Sequence, residues 1–195
     1  MNEAKSLSDW IKKSISVLQD AMSANLEKEM NRAIDASVSA LSSGGYILVC
    51  GNGGSAADAS HIVGELVGRF MLERRPYRAI CLASNSSVLT AWSNDYDFDT
   101  VFSRQVEAYA DGNSVLIGLS TSGNSTNVCR AFEVAREKGM TTIGFTGEGG
   151  GKLKNHSDVL LAAPTPSTPL IQQVHICLYH HYCAELERRL TAAGL

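Results

Sequence analysis

Apolar residues near the start of the chain follow helical spacing. Two runs within residues 3–42 repeat at helical intervals and predict two helices, the second ended by Gly44-Gly45. We interpret residues 1–43 as an N-terminal helical arm on a single domain that spans residues 1–195. The pattern leaves open whether the first helix, which carries Trp10, packs on its own domain or on another subunit.

The rest of the chain alternates between short apolar runs and helical segments. Apolar runs typical of buried strands lie at residues 46–50, 79–83, 114–120, 141–146 and 158–163. Helices are predicted at residues 55–70, 87–92, 100–109, 125–138 and 170–190. This alternation predicts an α/β protein, a three-layer α-β-α sandwich with a five-stranded parallel sheet. Ligands of such sheets bind beyond the carboxyl ends of the strands, near a switch in strand order.

Composition and net charge exclude several classes of protein and of binding partner. The 195 residues are 44% hydrophobic and 19% charged, which is typical of a globular protein rather than a disordered one. A formal net charge of −3 gives no basic surface for nucleic acid, and no apolar run of about 18 residues is available to cross a membrane. Because the first residues contain no apolar signal core, we expect a cytoplasmic protein whose cysteines are reduced and mostly buried.

Polar, glycine-rich segments follow three of the predicted strands, at residues 51–55, 120–125 and 146–151. The second, Ser-Thr-Ser-Gly-Asn-Ser, begins a helix, where free backbone N–H groups and the helix dipole favour a phosphate. The alternative is an ordinary helix cap formed by Ser122 or Ser125. A P-loop is excluded because no Gly-Lys-Ser/Thr follows, and a dinucleotide fingerprint is excluded because residues 51–55 lack its third glycine.

Ionisable residues recur on two predicted helices. His61 and Glu65 are four residues apart and therefore share one helix face. Gln172 and His180, eight residues apart on the last helix, lie on one broad side of it. A surface ion pair and a hydrogen-bonded core histidine are the simpler explanations, so spacing alone leaves this site open.

The order of these segments resembles one family. CGNGGSAADA at residues 50–59, followed by His61 and Glu65, resembles the first motif of phosphoheptose isomerases, a branch of the sugar isomerase (SIS) class. The match covers nearly the whole chain and continues through Asn94-Asp95, STSGNS at 120–125, Gly139-Met140, Thr146-Gly147, and Ile171-Gln172 with His175 and His180.

The resemblance implies a flavodoxin-like SIS fold and an aldose-ketose isomerase. The reaction would convert sedoheptulose 7-phosphate to D-glycero-D-manno-heptose 7-phosphate through an enediol. That reaction is the first step of ADP- or GDP-heptose synthesis for lipopolysaccharide or another surface polysaccharide. The resemblance also implies a homotetramer with active sites at subunit interfaces.

The site residues of the family carry over by position. The resemblance implies that Glu65 and His180 are the acid/base pair. It implies one zinc ion per subunit, held by His61, Glu65, Gln172 and His180. It implies a substrate site formed by Asn52, Gly53, Gly54, Ser55, Glu65, Asn94, Asp95, Ser120, Thr121, Ser122, Ser125 and Gln172.

Two features qualify the resemblance. Many members have Glu after the metal-site Gln, whereas Gln173 stands here, which would change the support of that site. Some relatives of this fold have lost the chemistry and act as tetrameric protein-binding factors, one of which binds a replication initiator. Those relatives typically lack the catalytic Glu. This chain keeps Glu65 together with His61 and His180, so the sequence favours the enzyme.

Overall fold

The computed structural model describes residues 6–24 and 26–195. Residues 3–5 of the predicted first helix lie outside the described residues, and so does Asn25. The helices are α1 (Leu7–Ser23), α2 (Glu27–Ser42), α3 (Gly54–Val67), α4 (Ser86–Asp95), α5 (Val101–Tyr109), α6 (Thr126–Glu137) and α7 (Thr168–Ala192). The strands are β1 (Ile47–Gly51), β2 (Ala79–Cys81), β3 (Val115–Ser120), β4 (Thr141–Thr146) and β5 (Val159–Ala162). Short 3₁₀ helices span Phe98–Thr100 and Lys152–His156.

The five strands form one parallel sheet in the order β2-β1-β3-β4-β5, which confirms the predicted sheet. Every residue of β1 and β3 is buried, as expected of strands covered on both faces. The chain runs from β1 outward to β2 and then returns to β3 on the other side of β1. The switch in strand order therefore lies between β1 and β3, and a ligand cleft is expected beyond their carboxyl ends.

Alternate residues of β1 belong to two separate cores, which confirms the three-layer architecture. Ile47 and Val49 pack in a core with residues of α2, α3 and α7. Leu48 and Cys50 point to the opposite face and pack with residues of α5 and α6. The period of two along a strand thus produces both helical layers from one continuous apolar run.

The two N-terminal helices pack on the same chain. Val17 of α1 is buried against α7, and Trp10 lies partly buried beside the same cluster. Ala33 and Ile34 of α2 are fully buried in the sheet core. Helix α1 also exposes four large apolar side chains, which we call the α1 stripe: Leu7, Ile11, Ile15 and Met22.

Two helix ends differ from the predicted ones by three residues, and the other differences are of one or two residues. Helix α3 ends at Val67 rather than at residue 70, because the carboxylate of Glu187 accepts hydrogen bonds from backbone N–H groups just after Gly68. Helix α4 runs to Asp95, so Asn94 and Asp95 belong to its last turn. No helix of the described residues has the length and apolar character that a membrane crossing needs.

Candidate active site

The loops that follow β1 and β3 are joined by a reciprocal amide pair. The Nδ2 of Asn52 donates to the Oδ1 of Asn127 at 2.8 Å, and the Nδ2 of Asn127 donates back at 3.0 Å. Asn127 was not predicted as a site residue. Its only signal in the sequence is a polar residue in the first turn of an amphipathic helix, and it is 2% exposed. The pair holds the two loops together across the switch in strand order.

The segment 120–125 forms a loop of hydroxyls at the start of α6. The hydroxyls of Ser120 and Ser125 lie 2.9 Å apart, and Ser122 Oγ accepts from the N–H of Asn124 at 3.1 Å. Ser125 occupies the N-cap position, yet its side chain makes no capping bond to α6. Ordinary side-chain capping by Ser122 or Ser125 is therefore excluded. The first-turn N–H groups of α6 have no side-chain cap, as an anion site requires.

The third glycine-rich segment, residues 146–151, packs against this loop and supports its backbone. Gly123 has a φ of +65°, and a Cβ there would overlap the backbone of Gly150 and Gly151. The N–H of Leu153 donates to the carbonyl of Gly123 at 2.9 Å, and the N–H of Gly147 donates to that of Thr121 at 2.9 Å. Residues 147–153 thus fix the shape of the hydroxyl loop through backbone contacts.

The ionisable residues predicted on two helices lie together. His61 Nε2 is 2.9 Å from Glu65 Oε1 within α3, and the ring of His180 on α7 lies 5.1 Å from that of His61. One possible ligand atom from each of these three residues lies within 4.8 Å of the others. The side chain of Glu65 is 19% exposed, so the cluster is partly shielded from solvent. Two imidazoles and a carboxylate in this arrangement could hold a metal ion.

A buried tyrosine fixes the orientation of His61. The Tyr179 hydroxyl lies 3.0 Å from His61 Nδ1 and donates to Asp58 Oδ1 at 3.4 Å. With that proton directed to Asp58, His61 Nδ1–H donates to the Tyr179 oxygen, and the Nε2 lone pair faces Glu65. A lone pair facing a carboxylate favours a cation between them, so the donor set fits a metal such as zinc. Burial raises the pKa of the Asp58 carboxyl above its ordinary value.

The fourth predicted ligand lies nearer the glycine loop. The amide of Gln172 contacts Gly54, where a Cβ would overlap it. At about 1.5 Å of rise per residue, Gln172 lies roughly 12 Å along α7 from His180. Its role as a ligand therefore stays a prediction. The neighbouring Gln173 has a buried Oε1 without a hydrogen-bond partner among the described residues.

Four other predicted site residues lie near helix ends, two at the start of α3 and two at the end of α4. Gly53 has a φ of +57° and precedes α3, and Ser55 in the first turn of α3 is 4% exposed. Asn94 and Asp95 are exposed, and the amide of Asn94 donates to Asp95 at 2.9 Å. The part of these residues in substrate binding stays a prediction.

His175 occupies the core rather than the cluster. Its Nε2 lies 3.0 Å from the carbonyl of Thr146, so it donates there as a hydrogen-bonded core histidine. Burial lowers the pKa of His175 to about 4, which keeps the ring neutral near pH 7. This histidine supports the end of β4, next to the turn that braces the hydroxyl loop.

Comparisons with known proteins give a consistent result. The SIS domain family model matches residues 9–147. A phosphoheptose isomerase of Crocosphaera subtropica is 46% identical over 187 residues, which are 95% of this chain and 95% of that protein. One from Citrifermentans bemidjiense is 50% identical over 173 residues, covering 87% and 90%. The solved phosphoheptose isomerase of Neisseria gonorrhoeae has a TM-score of 0.87 at 41% identity, covering 93% of this chain and 97% of that one.

Proposed function

Since the chain belongs to the phosphoheptose isomerase family of SIS-domain proteins, we propose that it interconverts sedoheptulose 7-phosphate and D-glycero-D-manno-heptose 7-phosphate. The observation that carries the proposal is the grouping of Glu65 and His61, on the helix α3 that begins at the expected β1–β3 cleft, with His180 of α7. The hydroxyl loop 120–125 at that cleft suits the phosphate of the substrate.

The reaction moves a proton between C1 and C2 through an enediol. Glu65 would remove the proton from carbon, and His180 would supply a proton to the carbonyl oxygen. Each correctly placed acid or base contributes about 10²- to 10⁴-fold in rate. Because Glu65 and His180 lie on different helices, the packing of α3 against α7 sets the separation of the two groups.

The phosphate would bind at the carboxyl end of β3. Hydroxyls of the loop 120–125 and the first N–H groups of α6 would donate to its oxygens. The loop contains no Lys or Arg, so dipoles and hydrogen bonds compensate the charge. Held at its far end, the sugar chain would extend towards Glu65 and His180. The loop therefore contributes orientation and binding energy.

We propose zinc as the metal of this site. His61, Glu65 and His180 would hold it, with Gln172 as the fourth ligand implied by the family. When bound, the ion polarises a carbonyl and stabilises negative charge on its oxygen. A carboxylate on a cation is a weaker base than a free one, so the ligand role of Glu65 competes with its role as base.

Purified protein should convert sedoheptulose 7-phosphate to heptose 7-phosphate, measured by chromatography of the sugar phosphates. Turnover should fall after chelation and return when zinc is added. Absence of product with and without zinc would overturn the isomerase proposal. Metal-free protein that is fully active in the presence of chelator would remove zinc from the mechanism while leaving the isomerase intact.

A protein-binding SIS factor is not favoured. Such factors typically lack the catalytic Glu, whereas Glu65 is present here with His61 and His180 beside it. Relatives at 46% and 50% identity are named as isomerases.

We also propose a homotetramer, with active sites at the subunit interfaces. The α1 stripe supports it, because Leu7 is 73% exposed and Met22 is 84% exposed in the isolated chain. Exposed apolar side chains in line on one helix are typical of a protein–protein contact. Light scattering should give four times the chain mass of 20.9 kDa. A monomer mass at micromolar concentration would contradict this proposal.

A further inference from the structure

A buried ion pair fastens the segment after α3 to α7. The carboxylate of Glu187, on α7, accepts from the N–H groups of Phe70 at 3.0 Å, Met71 at 2.7 Å and Leu72 at 2.9 Å. Arg74 Nε donates to the same carboxylate at 3.0 Å. The two charged side chains are 2% and 1% exposed. We call Arg74 and Glu187 the clasp.

The other half of the clasp holds the end of α3. The guanidinium of Arg74 donates to the carbonyls of Glu65 at 2.7 Å, Leu66 at 3.0 Å and Gly68 at 3.0 Å. These carbonyls have no partner further along the helix, and an arginine is a suitable donor for them. Arg74 therefore binds the backbone of the proposed base directly.

The clasp also reaches the proposed acid. Glu187 follows His180 by seven residues, about two turns, so both lie on one side of α7. Phe70, held by Glu187 through its N–H, stacks on the ring of His180 at 5.5 Å with an interplanar angle of 15°. One ion pair is thus connected to the backbone of Glu65 and, through Phe70, to the ring of His180.

We propose that Arg74 and Glu187 are positioning residues that set the separation and orientation of Glu65 and His180, with Phe70 as the contact on His180. This proposal rests on the proposed isomerase function. Neither clasp residue touches the substrate in this scheme. A purely structural role is the alternative, and apolar residues of similar volume commonly replace a buried ion pair without loss of folding.

The test compares three variants in the full-length protein. Arg74→Met/Glu187→Leu removes the clasp and keeps an apolar contact, and Phe70→Leu removes the ring and keeps the ion pair. Arg189→Met is the matched control, because Arg189 pairs with Glu185 and reaches Asp35 of α2 without touching α3.

The first two variants should lose at least about tenfold in kcat, since a displacement of about 1 Å can cost about 10²-fold in rate. Their KM should stay within about threefold, because the clasp does not contact the loop 120–125 that binds phosphate. The control should keep the wild-type kcat. Unchanged kcat in the clasp double variant or in Phe70→Leu, with folding verified by circular dichroism, would overturn the proposal. If the double variant does not fold, Phe70→Leu decides alone.

A readout independent of turnover separates this proposal from the function it rests on. The imidazole proton signals of His180, assigned with His180→Gln, should move when the clasp is removed and Phe70 is kept, because a displaced Phe70 ring changes the ring-current shift at His180. They should stay in place in Arg189→Met. Wild-type protein without isomerase activity would refute the proposed function only. His180 signals that stay fixed in Arg74→Met/Glu187→Leu would refute the positioning role.

Discussion

Glu65→Gln should abolish turnover of sedoheptulose 7-phosphate and leave the fold intact. The amide has nearly the same size, and its N–H group can donate to the lone pair of His61 Nε2, which lies 2.9 Å from Glu65 Oε1, but it cannot take a proton from carbon. We expect kcat to fall by about 10²- to 10⁴-fold, the contribution of a positioned base. Steady-state kinetics and circular dichroism measure the two parts of this expectation.

The matched control for that substitution is Glu133→Gln. Glu133 also faces a histidine, with its Oε1 3.6 Å from His156 Nε2, but it lies on α6 outside the cluster and is 49% exposed. Its activity should equal that of the wild type. Full activity of Glu65→Gln would show that Glu65 is not the base. The metal content of Glu65→Gln distinguishes loss of the base from loss of a ligand.

Gly123→Ala should weaken substrate binding strongly. Its φ of +65° is unfavourable for alanine, and the new Cβ would overlap backbone atoms of Gly150 and Gly151, which cannot rotate away. The loop 120–125 must then move away from residues 147–153. Such local strain costs about 1 to 3 kcal/mol, so KM should rise by about 5- to 150-fold. The change should appear mainly in KM, because Gly123 belongs to the loop proposed to bind phosphate and not to the cluster of His61, Glu65 and His180.

Gly149→Ala separates the effect of the clash from the effect of the φ angle. Gly149 has a φ of +80°, but a Cβ there would meet no atom within 4 Å. Its KM should stay near the wild-type value although the backbone penalty is similar. An equal rise of KM in both variants would show that general backbone strain, and not the contact of residues 147–153 with the hydroxyl loop, causes the effect.

The apolar pattern predicted the sheet correctly because the three central strands, β1, β3 and β4, are buried on both faces over almost their whole length and therefore form continuous apolar runs. The end of α3 could not be predicted in this way. Phe70 continues the helical apolar spacing, yet its N–H bonds to Glu187, which lies 117 residues further along the chain. The spacing of residues on one helix contains no information about such a partner.

The sequence singled out the main residues of the candidate site but not the contacts between them. The sequence identified the loop 120–125, and it identified His61, Glu65 and His180 through a family resemblance. Only the structure excluded Ser125 as an ordinary cap, because that decision depends on where its hydroxyl points. Tyr179 and Asn127 were not predicted, since a buried polar residue on a helix is equally consistent with simple packing.

The amide pair between Asn52 and Asn127 bears on how the cleft would respond to a ligand. Two hydrogen bonds in opposite directions link the segment after β1 to the first turn of α6, so the two segments separate only when both bonds break. A substrate that binds between them, as proposed, would therefore have less loop motion to arrest. The entropy cost of ordering this part of the cleft then falls on folding and not on binding. A smaller entropy cost on binding favours a higher affinity for the proposed sugar phosphate.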